Sequence, residues 1–274
     1  MKPNEVLFEL SMWGGAVERR YRSLRPEVES LPWDSFSLEG ASPQAVLSAR
    51  STWTEAAFQE HRTGAACAAT LQALITAQAP IDLVAMASRF TLDEMVHVEL
   101  CARLASLFGG GAPIAYDPKQ VIALPDPSLS PLLSAAELVV RNFCVGEALS
   151  IPLLRGSWHA ARQPLIKAIL SRIVKDEAAH GAFGWIFLDW ADEALTEADR
   201  AHLARQAALT IDGVVERWAG LRATDDEHDE QRLGWMESKS YLELARRSMQ
   251  KAVLEPLVER GIDPRPWMKQ SLAA

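Results

Sequence analysis

Hydrophobic residues recur three and four positions apart through most of this chain, a spacing that places them on one face of an α-helix. Proline and glycine interrupt the pattern and divide its central part into four long helices. We expect these helices at about 43–79, 82–108, 132–156 and 164–190. Five prolines within residues 112–131 predict a long irregular crossover between the second and third helices, whereas the other two connections are short.

Two segments flank this central region, which we place at residues 42–192. Residues 1–41 have a mixed pattern with prolines, and we expect an N-terminal extension that packs on the helices. Residues 193–274 predict a C-terminal helical extension, with helices at about 196–221 and 237–260. An acidic, solvated linker at 223–231 separates them. No strand pattern of useful length occurs, so the fold class is all-α.

Acidic residues and histidines interrupt the apolar face of each of the four long helices. The motif Asp-Glu-x-x-His occurs twice, at residues 93–97 and 176–180, each time in the middle of an apolar helical pattern. A glutamate on the helix before each motif, Glu60 and Glu147, completes two matching halves. The neighbouring Glu55 lies on the wrong turn for the apolar stripe. Counted from the breaks between helices, the polar residues fall at similar depth and should meet in one layer.

Four ionised carboxylates in one apolar layer repel each other, and two divalent cations would relieve that repulsion. The charges balance, because four glutamates carry −4 and two Fe(II) ions carry +4, while two neutral imidazoles complete the coordination. Mixed carboxylate and imidazole ligation suits iron, with manganese as the alternative, better than a closed structural zinc site. A surface salt-bridge patch is the other interpretation of each motif, but the flanking rows are too apolar for it.

The doubled motif in residues 43–191 resembles the ferritin-like carboxylate-bridged di-metal superfamily, which includes bacterial multicomponent monooxygenases, ribonucleotide reductase small subunits, arylamine N-oxygenases, rubrerythrins and ferritins. The resemblance implies a four-helix bundle with its long crossover between helices 2 and 3. It implies that Glu94 and Glu177 bridge two metal ions. It also implies that Asp93 and Asp176 each hold a ligand histidine, reaching across to the opposite one. The implied ligands in the two halves are Glu60, Glu94 and His97, and Glu147, Glu177 and His180.

The resemblance implies a non-haem di-iron oxygenase or oxidase that uses O2 to hydroxylate, N-oxygenate or desaturate a small organic substrate. The alternative is iron handling as a ferroxidase. No Cys-x-x-Cys pair supports a rubrerythrin-like peroxidase. Cys101 stands where ribonucleotide reductases place a radical tyrosine, and Ile173 where arylamine N-oxygenases add a third histidine. The extensions beyond the bundle favour a covered substrate pocket over a storage protein, although a homodimer interface would use them equally well.

Two glycines, Gly64 and Gly184, each lie four residues beyond an expected ligand on the same helix face. They indicate either a cavity for oxygen or substrate, or close helix packing. With Cys101, Cys144 and Ile173 they make up the candidate pocket, although the cysteines are equally explained as small core residues. For Asp93 and Asp176, the alternative is an exposed position on the helix surface.

The overall charge and the cysteines limit the remaining function classes. The net charge of −8 argues against nucleic acid, and no apolar run approaches the ~18 residues of a membrane span. Three widely spaced cysteines do not form a disulfide framework and suit a reducing compartment. The first residues lack the order of a signal peptide, so we expect a cytoplasmic protein. The sequence shows no reductase module, so an external electron donor is expected.

Overall fold

The structure, a computed structural model, describes residues 2–218 and 233–269, and within these ranges it is almost entirely helical. The α-helices are α1 (Gly15–Ser23), α2 (Pro43–Thr76), α3 (Ile81–Leu107), α4 (Pro131–Val139), α5 (Ala148–Ala160), α6 (Pro164–Ala191), α7 (Glu197–Trp218), α8 (Ser238–Ser248) and α9 (Glu255–Glu259). Two π-helical segments continue α-helices, Val140–Glu147 between α4 and α5 and Met249–Leu254 between α8 and α9.

The long helices begin where the sequence supplies caps. Ser42 accepts a hydrogen bond from the Ala45 backbone N–H at the start of α2, and Pro43 follows at the first helical position. Ser130 and Gln163 play the same part at the starts of α4 and α6. The observed limits lie within a few residues of those predicted. The predicted third helix is continuous along the chain but carries the π-helical segment in its middle.

The only strands among the described residues are β1 (Val6–Leu7) and β2 (Ala115–Tyr116), which form a small antiparallel sheet. This sheet joins the N-terminal segment to the long crossover between α3 and α4. Phe8, directly after β1, packs its ring against Phe58 of α2. The N-terminal segment and the crossover therefore meet on the outer side of α2.

The long helices pack against one another around two clusters of buried apolar residues. The short connection between α2 and α3 makes them an antiparallel pair in contact along their lengths, and α5 and α6 form a second pair. The pairs are joined where α3 contacts α6 and α2 contacts α4. Helix α7 packs on the first π-helical segment, and α8 packs on α5.

The predicted acidic linker at 223–231 and the end of the predicted helix at 221 lie outside the described residues. Among the helices that are described, none is both long enough and apolar enough to cross a membrane.

Candidate metal centre

The structure brings the six expected ligand residues together inside the helical core. Helix α2 supplies Glu60, α3 supplies Glu94 and His97, the end of the first π-helical segment supplies Glu147, and α6 supplies Glu177 and His180. They form two groups, each with ligand atoms within 4.8 Å of one another. The first group is Glu60, Glu94, His97 and Glu177, and the second is Glu94, Glu147, Glu177 and His180.

Two glutamates, Glu94 and Glu177, belong to both groups. Glu94 places one carboxylate oxygen 3.0 Å from His180 Nδ1 and the other 3.7 Å from His97 Nδ1. Glu177 places its Oε1 3.3 Å from His97 Nδ1 and its Oε2 3.3 Å from His180 Nδ1. Both carboxylates thus lie between the two imidazoles, which is the arrangement needed to bridge two ions.

The cluster is buried, with one partial exception. Glu94, His97 and His180 have no exposed surface, and Glu147 and Glu177 are nearly as deep. The Glu60 side chain is 18% exposed. Of the six residues, Glu60 is therefore the one through which the cluster reaches the protein surface.

Several buried polar atoms of the cluster lack hydrogen-bond partners among the described residues. They are both carboxylate oxygens of Glu94, one of Glu177, Nδ1 of His97, and both ring nitrogens of His180. Buried polar atoms are normally hydrogen-bonded, and orphaned ones require an explanation. Oxygen and nitrogen donors that face a common centre without partners fit a set of ligands for cations.

Each histidine uses its other ring nitrogen to contact the aspartate of the opposite motif. His97 Nε2 lies 3.2 Å from Asp176 Oδ2, within hydrogen-bond distance, and His180 Nε2 lies 3.6 Å from Asp93 Oδ2. Both aspartates are buried, so the interpretation that they are exposed surface residues is wrong. Such contacts fix the ring orientation and leave Nδ1 free to bind a metal ion.

The metal-free cluster holds protons that cations would displace. Burial raises the pKa of Glu60 to about 8 and raises that of Glu147 well above its ordinary value. Burial also opposes charge on Glu94 and Glu177, but the two facing imidazoles outweigh it and lower the pKa of both carboxyls. Metal binding to this set would release protons, because ligands coordinate in their deprotonated forms.

The two histidines balance the shared carboxylates in the metal-free state. Burial alone would lower their pKa values, but the surrounding carboxylates outweigh it. The pKa of His180 rises to about 12, and that of His97 lies well above its ordinary value. The raised pKa values favour the protonated form of both imidazoles, and bound cations would take the place of these protons.

The first π-helical segment delivers Glu147 to the cluster. It ends at Glu147, and the Ser150 hydroxyl lies one turn further, 3.2 Å from the Glu147 Oε2 and 3.0 Å from its carbonyl oxygen. Short π-helical stretches within α-helices are frequent at functional sites. Neither the π-helix nor the Ser150 contact has a signal in the sequence.

Neighbouring atoms occupy the position that a side chain would take at each of the two glycines. A Cβ atom at Gly64 would lie 2.4 Å from Met95 Cε, and one at Gly184 would lie 2.7 Å from Cys144 Sγ and 3.0 Å from the Cys144 backbone nitrogen. These contacts favour close helix packing over a cavity at both glycines.

The other residues of the candidate pocket are part of the apolar core. Cys101 and Ile173 pack in one core cluster with Leu100 and Ile169, while Cys144 fills the space beside Gly184. The chain's three cysteines are free and buried, and burial raises the pKa of each thiol. These thiols are protonated packing groups, as the alternative interpretation of the sequence expected.

Comparison with protein families, curated proteins and solved structures found no match for this chain. The helical fold and the buried carboxylate–imidazole cluster are compatible with a ferritin-like di-metal protein.

Proposed function

We propose that this chain is a ferritin-like di-iron enzyme that uses O2 to oxidise a small organic substrate. In this proposal α2, α3, the α4–α5 helix and α6 form the four-helix bundle, and the residues outside 42–192 are extensions. The observation that carries it is the pair of four-residue groups sharing Glu94 and Glu177. Two ions bridged by carboxylates, with one histidine each, are the arrangement that such bundles hold in their cores.

The donor set indicates which ions would bind. Four carboxylates and two imidazoles offer hard and intermediate ligands, which suit iron, with manganese as the alternative. Two Fe(II) ions would neutralise the four glutamates. Bound iron would supply the activation of O2 at open coordination positions.

The chain's own residues would orient the imidazoles, exclude bulk water and leave a route by which small molecules reach the cluster. Asp176 holds the His97 imidazole by a hydrogen bond, and Asp93 faces the His180 imidazole, so that Nδ1 of each ring is turned inward. Burial of the cluster excludes bulk water from the reacting centre. Small molecules would approach beside Glu60, because its side chain is the partly exposed one.

The balance of electrons requires a partner. Reduction of O2 to the level of water takes four electrons, and oxidation of the substrate by hydroxylation, N-oxygenation or desaturation supplies two of them. The other two, with two protons, would come from an external electron donor. We therefore propose a separate reductase as partner, and a cytoplasmic location where such donors are reduced.

Iron handling as a ferroxidase is the second candidate. A protein that passes on many ions needs a route by which each ion enters and leaves the centre. Here five of the six residues are fully or almost fully buried, and Tyr21 of α1 donates a hydrogen bond to the Met95 carbonyl next to Glu94. This covering favours ions that stay in place, and hence the oxidase or oxygenase.

The two candidates are separated by following iron and O2 together. The protein is loaded anaerobically with Fe(II), supplied with a chemical reductant and a panel of small organic substrates, and exposed to O2. The proposal expects two irons per chain, repeated turnover of O2, and an oxidised organic product. Continued oxidation of added Fe(II), with many ferric ions retained per chain in a large oligomer, would instead establish iron handling. Glu55→Gln serves as control, because Glu55 is exposed on the same helix as Glu60.

A further inference from the structure

The two motifs share a further residue that the proposed ligand set does not use. An arginine stands four positions before each aspartate, Arg89 before Asp93 and Arg172 before Asp176. Residues four apart lie on the same helix face, so both arginines can pair with their aspartates. From the sequence alone, the two halves look equivalent.

In the structure, the two arginines differ in their exposure and in their ion-pair partners. The Arg89 side chain is 70% exposed, and its Nε lies 3.2 Å from Asp93 Oδ2. The Arg172 side chain is 15% exposed and pairs with Asp176 on one side and with Glu27 on the other. Its Nε and Nη2 lie 3.0 and 2.9 Å from one Glu27 carboxylate oxygen.

Glu27 belongs to a turn, Pro26–Val28, that is firmly attached to the core. The Val28 side chain is fully buried, and Arg25 is 1% exposed. Arg25 donates to the carboxylates of Glu29 and of Glu99 on α3, at 2.6 and 2.7 Å. The turn is therefore anchored on α3 and reaches α6 through Glu27, so it spans both helices that carry the motifs.

The difference continues inward to the histidines. Asp176, which Arg172 holds, lies 3.2 Å from His97 Nε2, whereas Asp93 lies 3.6 Å from His180 Nε2. We propose that Glu27 and Arg172 are positioning residues that fix the His97 ring through Asp176. This inference rests on the di-iron function proposed above. It makes the metal position at His97 the better defined of the two and assigns that role to the N-terminal segment.

Geometry, and not the energy of the outer ion pair, is the basis of this role. Glu27 is 45% exposed, and an ion pair with an exposed partner contributes little to stability. A guanidinium held from both sides nevertheless has one orientation, and it fixes the carboxylate oxygen that faces His97. Loss of an outer partner of a metal ligand typically weakens metal binding by about 10- to 100-fold.

The test compares matched variants by anaerobic calorimetric titration with Co(II), which reports the stoichiometry and the affinity of each binding step. Arg172→Gln should weaken one Co(II) position about 10-fold and leave the other unchanged. Glu27→Gln should weaken the same position to a smaller extent. Arg172→Lys should give an intermediate result, because an ammonium lacks the guanidinium fork. Arg89→Gln should change neither position by more than about 2-fold, and Glu18→Gln, which removes a partner of Arg22, is the surface control.

A second measurement needs no metal. Nitrogen-15 NMR of histidine side chains in the metal-free protein should show a shifted His97 resonance in Glu27→Gln and Arg172→Gln, with His180 unchanged. Equal effects of Arg172→Gln and Arg89→Gln on Co(II) binding, or an unchanged His97 resonance, would overturn the inference. Fewer than two ions bound by the unaltered chain would refute the di-iron proposal, whereas the NMR comparison still decides the role of Glu27. Glu27→Gln alters a partly exposed residue and keeps both measurements available if Arg172→Gln does not fold.

Discussion

Asp176 on α6 lies 3.2 Å from the Nε2 atom of His97 on α3. In the reverse pair, Asp93 on α3 lies 3.6 Å from the Nε2 atom of His180 on α6. The aspartate of each motif thus contacts the histidine of the other. A shift of one helix along the other would break both contacts together. The doubled motif therefore fixes the register of α3 against α6 as well as the positions of the ligands.

Replacement of Asp176 by asparagine tests this crossing. Asp176→Asn keeps the shape of the side chain but removes the charge that orients His97, so affinity for one metal ion should fall about 10-fold. Asp93→Asn should have a smaller effect, because its contact with His180 is longer. Competition with a metal-binding dye measures both. Equal losses in the two variants would show that the difference in distance has no consequence.

Removal of a shared carboxylate should affect both ions. Glu94→Ala should abolish binding of the pair, whereas Glu147→Ala should leave one ion bound, because Glu147 belongs to the second group alone. Metal content per chain after anaerobic loading and desalting measures this. Glu55→Ala is the control on α2 and should retain two ions. Two ions bound by Glu94→Ala would refute the assignment of Glu94 as a shared ligand.

The stability of the metal-free protein should depend on the protonation of Glu60. Its pKa rises from an ordinary value of 4.5 to about 8 in the folded state. The protonated carboxyl therefore favours folding, and this contribution is fully present below pH 4.5 and is lost as the pH rises to about 8. Denaturant unfolding of the metal-free protein should show less of this decline in Glu60→Gln, which stays neutral. An identical pH profile in both proteins would contradict the shift.

The same protonation makes metal binding pH-dependent. Glu60, Glu147 and the two imidazoles must lose protons to coordinate, so affinity for Fe(II) or Mn(II) should rise with pH and continue to rise above pH 8. Proton release measured by calorimetry in buffers of different ionisation enthalpy checks this. Binding without proton release would contradict the proposed ligand set.

Close packing at Gly184 can be measured against a matched glycine. A methyl group at Gly184 would meet the sulfur and backbone nitrogen of Cys144, so Gly184→Ala should destabilise the protein by about 1–3 kcal/mol. Gly213, inside α7, has no atom of the described residues within 4 Å of its Cβ position, and Gly213→Ala should be neutral or stabilising by up to ~1 kcal/mol. Urea unfolding compares the two variants, and a stabilised Gly184→Ala would restore the cavity interpretation.

The parts of the fold that depend on local pattern could be predicted from the sequence. Apolar periodicity, together with Ser42 and Pro43, located α2, and the same reasoning located α3 and α6. The six clustered residues could be predicted because buried carboxylates on apolar faces need a common partner. The helix limits follow from residues that are close together in the chain. The cluster follows from the cost of burying unpaired carboxylates, which few arrangements avoid.

Features that depend on distant parts of the chain could not be predicted. The contact between Glu27 and Arg172 joins residues 145 positions apart, and no local sequence pattern predicts it. The π-helix that ends at Glu147 could not be predicted either, because no local sequence pattern separates a π-helical segment from an α-helical one. Gly64 and Gly184 were ambiguous, since a missing side chain leaves either a void or a close neighbour, and only Met95 and Cys144 decide which.

Each four-residue group combines both motifs, because the first includes Glu177 and the second includes Glu94. During synthesis, the ribosome releases α2 and α3 long before α6. The early hairpin carries Glu60, Glu94 and His97 but lacks the fourth donor. Neither group is therefore complete until α6 has been synthesised, so ions that bind in the proposed way would be fully coordinated only after both motifs exist.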